Sequence, residues 1–253
     1  QDLKRAGFDV LSLANNHSLD RGSAGVRETL QTLDNSGLAH NGLRSSLSQP
    51  LSYSVTSSQG ISIAWISCTT SLNGYSDSYG QVAQCNKNKT ELLKLISALS
   101  EQYDAVIVTP HWGVEKASRP SQSDRNLGIS FLNAGAKAVL GAHPHVLQPV
   151  ELFHMGGEER LIAYSLGNFL HNQLYYGAPQ NTGAILYLGL TKAKGRTFIN
   201  GWSFVPTYVE YGTFQVKLAQ NSRDKSFLSH AHSVLGAGSD LKSAKANRDF
   251  SCR

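Results

Sequence analysis

Three polar clusters in this sequence contain side chains with which proteins bind transition metals. Asn-Asn-His lies at 15–17, Pro-His at 110–111 and His-Pro-His at 143–145, and each cluster follows a short apolar run. Neutral imidazole nitrogens and a carboxamide oxygen suit a transition metal at neutral pH. If the three runs end at one place in the fold, five side chains meet there: Asn16, His17, His111, His143 and His145. The sequence therefore predicts a metal site.

The His-Pro-His segment has a spacing that indicates a loop rather than a helix. Two imidazoles at i and i+2 can reach one or two metal ions from a loop restrained by proline, whereas two ligands on one helix face need a spacing of about four residues. Taken singly, each histidine is also typical of one that hydrogen-bonds near a strand end. Their convergence favours the metal interpretation. Five other histidines have no matching context and receive no role: His40, His154, His171, His230 and His232.

Polar residues beside the clusters have more than one interpretation. Asn15 and Asn16 are also typical turn formers and N-cap donors, because a helix is predicted shortly after them. Asp20 either caps that helix or fixes an imidazole by a hydrogen bond. Glu115 follows His111 by four residues in HWGVE and is an acid, a support for a ligand or a solvated loop residue. Asn15, Asp20 and Glu115 are therefore expected around the metal ligands.

The apolar runs that precede the clusters are expected to be strands. They are FDVLSLA at 8–14, AVIVT at 105–109 and AVLG at 138–141. Such continuous runs are typical of strands covered on both faces, as in an α/β sheet flanked by helices. Ligands collect beyond the carboxyl ends of the strands in such a sheet, where all three clusters lie. Apolar residues at helical spacing predict three helices, at 24–35, 90–100 and 124–134.

Further apolar segments indicate more strands. Residues 51–55 and 61–67 flank a turn-like SSQG and predict a hairpin. Later segments have no clear helices between them, and we interpret them as a second, mostly antiparallel sheet layered on the first. They lie at 146–153, 161–165, 184–190, 197–206 and 214–217. Residues 71–89 and the polar chain from 219 onward are expected to be loop.

The composition is that of a folded protein with a modest charge. The chain has 253 residues, of which 40% are hydrophobic, enough for one sizeable α/β domain. Lys and Arg number 23 against 18 Asp and Glu, and the resulting net charge of +5 is too small and too dispersed to indicate a nucleic-acid binder. No run approaches the ~20 apolar residues of a membrane helix, and no segment resembles a secretory signal.

The cysteines leave two interpretations open. Cys68 and Cys85 close a loop if the protein folds in an oxidising compartment, or Cys68 is a lone thiol within the apolar run IAWISC. Cys252 lies in a polar tail and is expected to be inert. Three cysteines at irregular spacing exclude a zinc ribbon or a disulfide framework.

Four sequence blocks resemble those of a known bacterial family. LANNHSLDRG, PHWGVE, GAHPHVLQPVE and IAYSLGNFL occur here in the order that they have in the CapA family of capsule or poly-γ-glutamate biosynthesis proteins, and the match runs from about Lys4 to Gln173. The CapA domain is similar to the calcineurin-like metallophosphoesterases. The resemblance implies a four-layered αββα sandwich with a two-metal site at the strand ends.

The resemblance also implies a role for each matched residue. Metal ligands are implied at Asn16, His111, His143 and His145. His17 matches the general acid or oxyanion-stabilising histidine beside the ligand asparagine. Asn168 in YSLGNF matches a block whose role is structural or, at most, to line the cleft. Two divalent ions, of Mn, Zn or Fe, are implied for the intact protein.

The sequence departs from the family pattern at its start. The wider family has aspartates on one or two earlier strands, and the CapA pattern has a Gly-Asp strand end and an Asn-Leu-Glu block, but neither precedes the ANNH segment here. Two dications without a bridging carboxylate repel each other. We therefore expect a domain at 1–218 that lacks its N-terminal strand or strands, followed by a polar tail at 219–253. Either the chain is a fragment, which is expected to be inactive by itself, or it binds at most one metal weakly.

Three functional hypotheses follow from the resemblance. The first is a metal-dependent hydrolase of phosphoester or related bonds, in which two metals bind the substrate oxyanion and His17 protonates or stabilises the leaving group. The second is a non-catalytic accessory subunit of a capsule or polyglutamate assembly complex. The third is an amide hydrolase acting on a γ-glutamyl polymer. The implied partners are an anionic polymer or a phosphoester and other capsule-synthesis membrane proteins, in an extracytoplasmic, membrane-associated place at the cell envelope.

Overall fold

The apolar pattern of the sequence becomes eleven strands and six α-helices in the computed structural model, which describes residues 2–172 and 177–241. The strands are β1 (Val10–Ser12), β2 (Ala39–Asn41), β3 (Ser54–Ser58), β4 (Ile61–Thr69), β5 (Ala105–His111), β6 (Ala138–Leu140), β7 (Val150–Met155), β8 (Glu158–Ala163), β9 (Thr182–Ala193), β10 (Arg196–Val209) and β11 (Val216–Leu218). The helices are α1 (Asp2–Arg5), α2 (Gly22–Ser36), α3 (Lys89–Gln102), α4 (Gln122–Asn133), α5 (Ala178–Asn181) and α6 (Ser226–Leu235).

The central element is a six-stranded mixed sheet in the order β3-β4-β5-β6-β8-β7. Strands β4, β5, β6 and β8 are parallel, and β3 and β7 pair antiparallel at the two edges. The continuous apolar run of β5 is buried at residues 105–108, as expected for a strand covered on both faces. Leu92 and Ile96 of α3 and Phe131 and Leu132 of α4 pack on one face of this sheet. Their helical spacing places them on the buried side of each helix.

The other face of the six-stranded sheet packs against a three-stranded antiparallel sheet in the order β11-β10-β9. Ile107 and Leu161 of the first sheet meet Leu188 and Trp202 of the second. Helix α6 packs at the end of the same face of the second sheet, where its residue Ala231 lies in a cluster with Phe204 and Leu147. The described residues therefore form a mixed α/β fold, in which helices cover one face of the six-stranded sheet and the second sheet covers the other.

Two segments predicted for the second sheet belong to the first. Residues 146–153 and 161–165 contain β7 and β8, which pair with each other, and β8 also pairs in parallel with β6. The prediction of a second sheet that begins after residue 145 is therefore wrong for these two strands. The short link between β6 and β7 keeps them at the edge of the sheet that they follow, whereas the long strands β9 and β10 start a new layer.

The first apolar run does not join the six-stranded sheet. It contains β1, which pairs in parallel with β2 to form a separate two-stranded sheet. Hydrogen bonding ties this small sheet to the large one, because the Thr109 hydroxyl of β5 donates to Ser12 Oγ at 3.1 Å. The end of β1 therefore still lies beside the end of β5.

The chain after 219 is not wholly loop. Helix α6 buries Ala231 and Leu235 within a core cluster, and His232 contacts the buried Asp240 at 2.8 Å. The loop prediction is therefore wrong over α6, whose apolar residues were outweighed by the polar residues around them. Gln1 and Cys252 lie outside the described residues. In the part of the chain that the structure describes, no helix is both long enough and apolar enough to cross a membrane.

Cys68 and Cys85 form a disulfide, which decides between the two interpretations of these residues. Both are fully buried, and their sequence separation is 17. The bond joins the end of β4 to the end of the loop that precedes α3. Backbone hydrogen bonds from Thr69 to Ala83 and from Cys85 to Thr69 run alongside it. The loop is therefore fastened to the carboxyl edge of the sheet at both of its ends.

Replacing both cysteines by alanine is expected to destabilise the fold by about 3 kcal/mol, because a crosslink across a loop of this length restricts the unfolded chain by roughly that amount. Urea unfolding monitored by circular dichroism measures the change. Wild-type protein in strong reductant should behave like the double variant. Equal free energies of unfolding for the oxidised and reduced wild type would contradict this prediction.

Candidate metal centre

Three strand ends bring ligand atoms together at one edge of the large sheet. Asn16 follows β1, His111 ends β5 and His143 follows β6. The Asn16 Oδ1 atom lies 2.9 Å from His111 Nε2, and His143 Nδ1 lies 3.1 Å from the same nitrogen. Asn16 is only 4% exposed. An amide oxygen and two imidazole nitrogens therefore face one another in a largely buried site.

The spacing of these three atoms fits a transition metal ion. Two ligands that each lie about 2.1 Å from an ion, at right or tetrahedral angles to each other, stand about 3.0–3.4 Å apart. The two distances at His111 Nε2 are close to this range. A neutral imidazole nitrogen carries at most one hydrogen, so several lone pairs face each other here unless a cation or a proton lies between them. Asn16, His111 and His143 therefore form a donor set that fits a metal.

A second group of ligand atoms overlaps the first. One ligand atom each from Glu115, His143 and His145 lies within 4.8 Å of the others, so these residues are near enough to hold an ion. His145 Nδ1 contacts Asn168 Oδ1 at 2.9 Å, and the Asn168 amide also donates to the backbone oxygen of His145 at 3.2 Å. Asn168 therefore fixes the orientation of the His145 ring. The other ring nitrogen of His145, Nε2, can then bind a metal ion.

The backbone of the His-Pro-His loop is strained at both histidines. His143 has φ 102° and His145 has φ 60°, in the left-handed half of the map that side chains other than glycine seldom adopt. Strained residues of this kind concentrate at functional sites, where the surrounding structure holds them. The loop is held by a hydrogen bond from Lys116 N to Pro144 O at 2.7 Å. The structure around the loop therefore holds both histidines in this conformation at the carboxyl edge of the sheet.

Glycine is required where this loop leaves β6. A Cβ atom on Gly141 would lie 2.1 Å from the Tyr164 backbone oxygen and 2.3 Å from Trp112 Nε1. These two groups are hydrogen-bonded to each other at 2.9 Å. The backbone at Gly141 packs against this hydrogen bond. The loop that bears His143 therefore begins at a fixed point of the core.

The His111 and His143 imidazoles are in the neutral form that binds metals. Burial lowers the pKa of His111 to about 3, and positive charge on His143 and His145 would act in the same direction. Burial also lowers the pKa of His143, although the carboxylate of Glu115 opposes this shift. At neutral pH these rings therefore present lone pairs rather than positive charge.

His17 lies at the exposed side of the centre. Its Nδ1 contacts Asp20 Oδ2 at 2.8 Å, so the ring donates to the carboxylate and its Nε2 stays available. His17 and Asp20 line a shallow cavity of about 420 Å³ together with Arg21, Asn73 and Tyr75. Two larger cavities, of about 810 and 1040 Å³, contain none of the predicted site residues. His17 and Asp20 are thus the predicted site residues that line this cavity.

Asn15 shapes the turn that presents its two neighbours. Its Oδ1 accepts a hydrogen bond from the backbone of His17 at 2.8 Å, and its side-chain amide donates to Leu13 O at 3.3 Å. Both bonds lie within the turn. Asn15 thus has the turn-forming role that the sequence left open, and Asp20 bonds an imidazole. The N-cap of α2 is Arg21.

Two residues near the centre carried no signal in the sequence. Asn73 Oδ1 accepts a hydrogen bond from Asn16 Nδ2 at 3.1 Å across the disulfide-bonded loop. The second residue is His171, which lies near His145. Burial lowers the pKa of His171, and positive charge on His145 would lower it further. The Asn-Gly pair at 73–74 predicts a turn, but no pattern predicts the residue that the turn contacts.

Comparison with known proteins places the chain in a family. The family described as bacterial capsule synthesis protein PGA_cap matches residues 1–173, which include every predicted site residue. The chain belongs to this PGA_cap family. It is 32% identical over 176 residues to the capsule biosynthesis protein CapA of Bacillus anthracis and 34% identical over 184 residues to the PGA biosynthesis protein CapA of Bacillus subtilis (strain 168). Each alignment covers 68% of this chain but only 42% and 44% of the respective relatives.

One solved structure has a fold similar to that of this chain. A putative 5'-nucleotidase from Staphylococcus aureus, solved in complex with alpha-ketoglutarate, superposes with a TM-score of 0.53 over 84% of this chain and 40% of its own. The two sequences are 15% identical, so the likeness concerns the fold alone. The α/β fold of metallophosphoesterase type that the CapA resemblance implied is confirmed. The PGA_cap chain therefore shares its fold with this structure and its family with capsule synthesis proteins.

His111→Ala is expected to weaken metal binding more than about 100-fold, because even residues that only orient a ligand contribute 10–100-fold to affinity. Elemental analysis and chelator competition with Mn²⁺ and Zn²⁺ measure the effect. The matched control is His154→Ala, since His154 lies exposed on β7, away from the proposed metal ligands. Equal metal affinity in the two variants would contradict the assignment of His111.

Proposed function

We propose that this PGA_cap chain carries a divalent-metal hydrolase site of phosphoesterase type that serves the synthesis of a capsule polymer. The observation that carries the proposal is the convergence of Asn16 Oδ1, His111 Nε2 and His143 Nδ1 at the spacing of ligands on one ion. Membership of the capsule synthesis family supports the biological setting. The two arguments are independent, because one rests on geometry and the other on similarity.

The residues of the centre divide into two ligand sets, and His143 belongs to the first, because a neutral imidazole offers one lone pair. Asn16 and His111 would hold one ion with it, and Glu115 and His145 would hold a second. We propose two ions of Mn, Zn or Fe. Such ions, when bound, act as Lewis acids that stabilise the charge of a phosphoryl oxygen and lower the pKa of water.

Glu115 would supply negative charge to a centre that is otherwise built from neutral donors. Two dications near each other repel unless a carboxylate offsets their charge. Glu115 is exposed but lies within reach of His143 and His145, and its charge already opposes the pKa shift of His143. We therefore assign it to the second ion, although the sequence placed it only beside the ligands.

Glu115→Gln is expected to lower the bound metal from about two ions per chain to about one, since the second set loses its charged ligand while the first set is intact. Isothermal titration with Mn²⁺ gives the stoichiometry. Glu28→Gln on the exposed face of α2 is the control and should bind as the wild type does. An unchanged stoichiometry for Glu115→Gln would show that Glu115 is not a ligand.

The His17–Asp20 pair would handle the proton of the leaving group. His17 donates from Nδ1 to Asp20, which fixes the tautomer and stabilises a positive charge on the ring. The Nε2 atom can then carry a proton to the leaving oxygen of a substrate in the adjacent cavity. Asn15 holds the backbone of His17 in place through its own side chain. His17 is therefore proposed as the general acid.

The biological setting is proposed from the relatives and from the disulfide. The two Bacillus proteins are named for capsule and PGA biosynthesis, and we propose a poly-γ-glutamate or other anionic capsule polymer, or a phosphoester from its synthesis, as the substrate. The Cys68–Cys85 disulfide supports an extracytoplasmic place at the cell envelope, because disulfides persist in oxidising compartments. Membrane proteins of capsule synthesis are the proposed partners.

His17→Ala is expected to lower kcat for phosphodiester hydrolysis by about 10²–10⁴-fold, because it removes a general acid but no metal ligand. Hydrolysis of a phosphodiester with alkoxide leaving groups, which need a proton to depart, gives the rate in the presence of Mn²⁺, and elemental analysis gives the metal content. Asp20→Asn should lower kcat less, since the imidazole remains.

The same assay separates the alternatives. Metal binding without phosphodiesterase activity, but with release of glutamate from a γ-glutamyl oligomer, would favour the amide hydrolase. Wild-type protein that binds no metal would favour a non-catalytic accessory subunit of the assembly complex. A rate that His17→Ala leaves unchanged would remove His17 from the mechanism.

A further inference from the structure

The side-chain amide of Asn16 has an oxygen and an NH₂ group, and only the oxygen can ligate a metal ion. Its Oδ1 faces His111 Nε2 at 2.9 Å. Because the side chain is 4% exposed, the NH₂ end needs a protein acceptor in place of water. Asn73 Oδ1 provides it at 3.1 Å. The contact with Asn73 thus satisfies the NH₂ end of the amide while the oxygen points at the ligand nitrogens.

We propose that Asn73 is a positioning residue that holds the Asn16 oxygen toward the metal, an inference that rests on the proposed function. Without this acceptor the Asn16 amide can rotate by half a turn and present its NH₂ group to His111. A donor in that place cannot ligate a cation. Partners that orient ligands in this way commonly contribute 10–100-fold to metal affinity.

The loop that carries Asn73 is built to hold it in place. Asn73 has φ 51° and precedes Gly74, and its backbone N–H donates to Ser71 Oγ at 3.2 Å. The neighbouring Leu72 is buried in a small core cluster with Ala14, close in sequence to Asn16. The disulfide fastens both ends of the loop to the sheet. The loop and the Asn16 turn therefore share one core.

The left-handed backbone of Asn73 guides the choice of variants. Asn73→Gly removes the acceptor and adopts a positive φ without strain, so a change in metal binding does not arise from the backbone. Asn73→Asp keeps an acceptor oxygen and also tolerates this conformation. Asn86→Gly is the control, because Asn86 is exposed beside Cys85.

Two measurements test the inference, and one of them needs no metal. Chelator competition with Mn²⁺ should show about 10–100-fold weaker binding for Asn73→Gly and wild-type binding, within about threefold, for Asn73→Asp and Asn86→Gly. In metal-free protein, ¹⁵N NMR of the imidazoles reports which nitrogen of His111 carries the hydrogen. We expect the Nε2–H form in wild type, donating to Asn16 Oδ1, and a shift toward the Nδ1–H form in Asn73→Gly.

The outcomes separate this inference from the proposed function. Wild-type metal affinity together with an unchanged His111 tautomer in Asn73→Gly would overturn the positioning role. A higher KM at unchanged metal affinity and tautomer would overturn it as well, and would make Asn73 a substrate contact in the His17 cavity. If wild type binds no metal, the proposed function fails, and the tautomer shift alone decides whether Asn73 orients Asn16.

Discussion

The contact of one nitrogen, His111 Nε2, with both Asn16 Oδ1 and His143 Nδ1 is the interaction on which the rest of the site depends. These atoms come from three segments that are distant in sequence. A neutral ring nitrogen cannot satisfy two lone-pair partners with one hydrogen, and burial keeps the His111 ring uncharged. The arrangement is stable with a cation among the donors, and a metal centre is the simplest chemistry that such a set can support.

The fold holds these donors with little freedom. His111 ends the buried strand β5, whose neighbours pack between helices on one face and a second sheet on the other. Gly141 lets the His-Pro-His loop start against the Trp112–Tyr164 hydrogen bond, and the strained backbone at His143 persists because this core surrounds it. Ligands held in this way need little reorganisation when an ion binds.

The sequence predicted the parts of this arrangement that follow from local pattern. Apolar runs followed by Asn or His indicate strand ends, and strand ends of an α/β sheet meet at one edge. Pairing between distant segments follows no local pattern, so β1 was predicted in the wrong sheet and β7 and β8 in the wrong layer. The disulfide and the Asn73 contact depend on how a loop folds back on the sheet. Glu115 was predicted beside the site, and its distance to His143 and His145 became visible only in the structure.

Anomalous diffraction from crystals soaked in Mn²⁺ tests the central claim most directly. We expect a peak bounded by Asn16 Oδ1, His111 Nε2 and His143 Nδ1, with a second peak beside Glu115 and His145 at higher Mn²⁺ concentration. A fully soaked crystal with no peak among these atoms, or with its only peak elsewhere, would contradict the claim that this edge of the sheet is a metal centre.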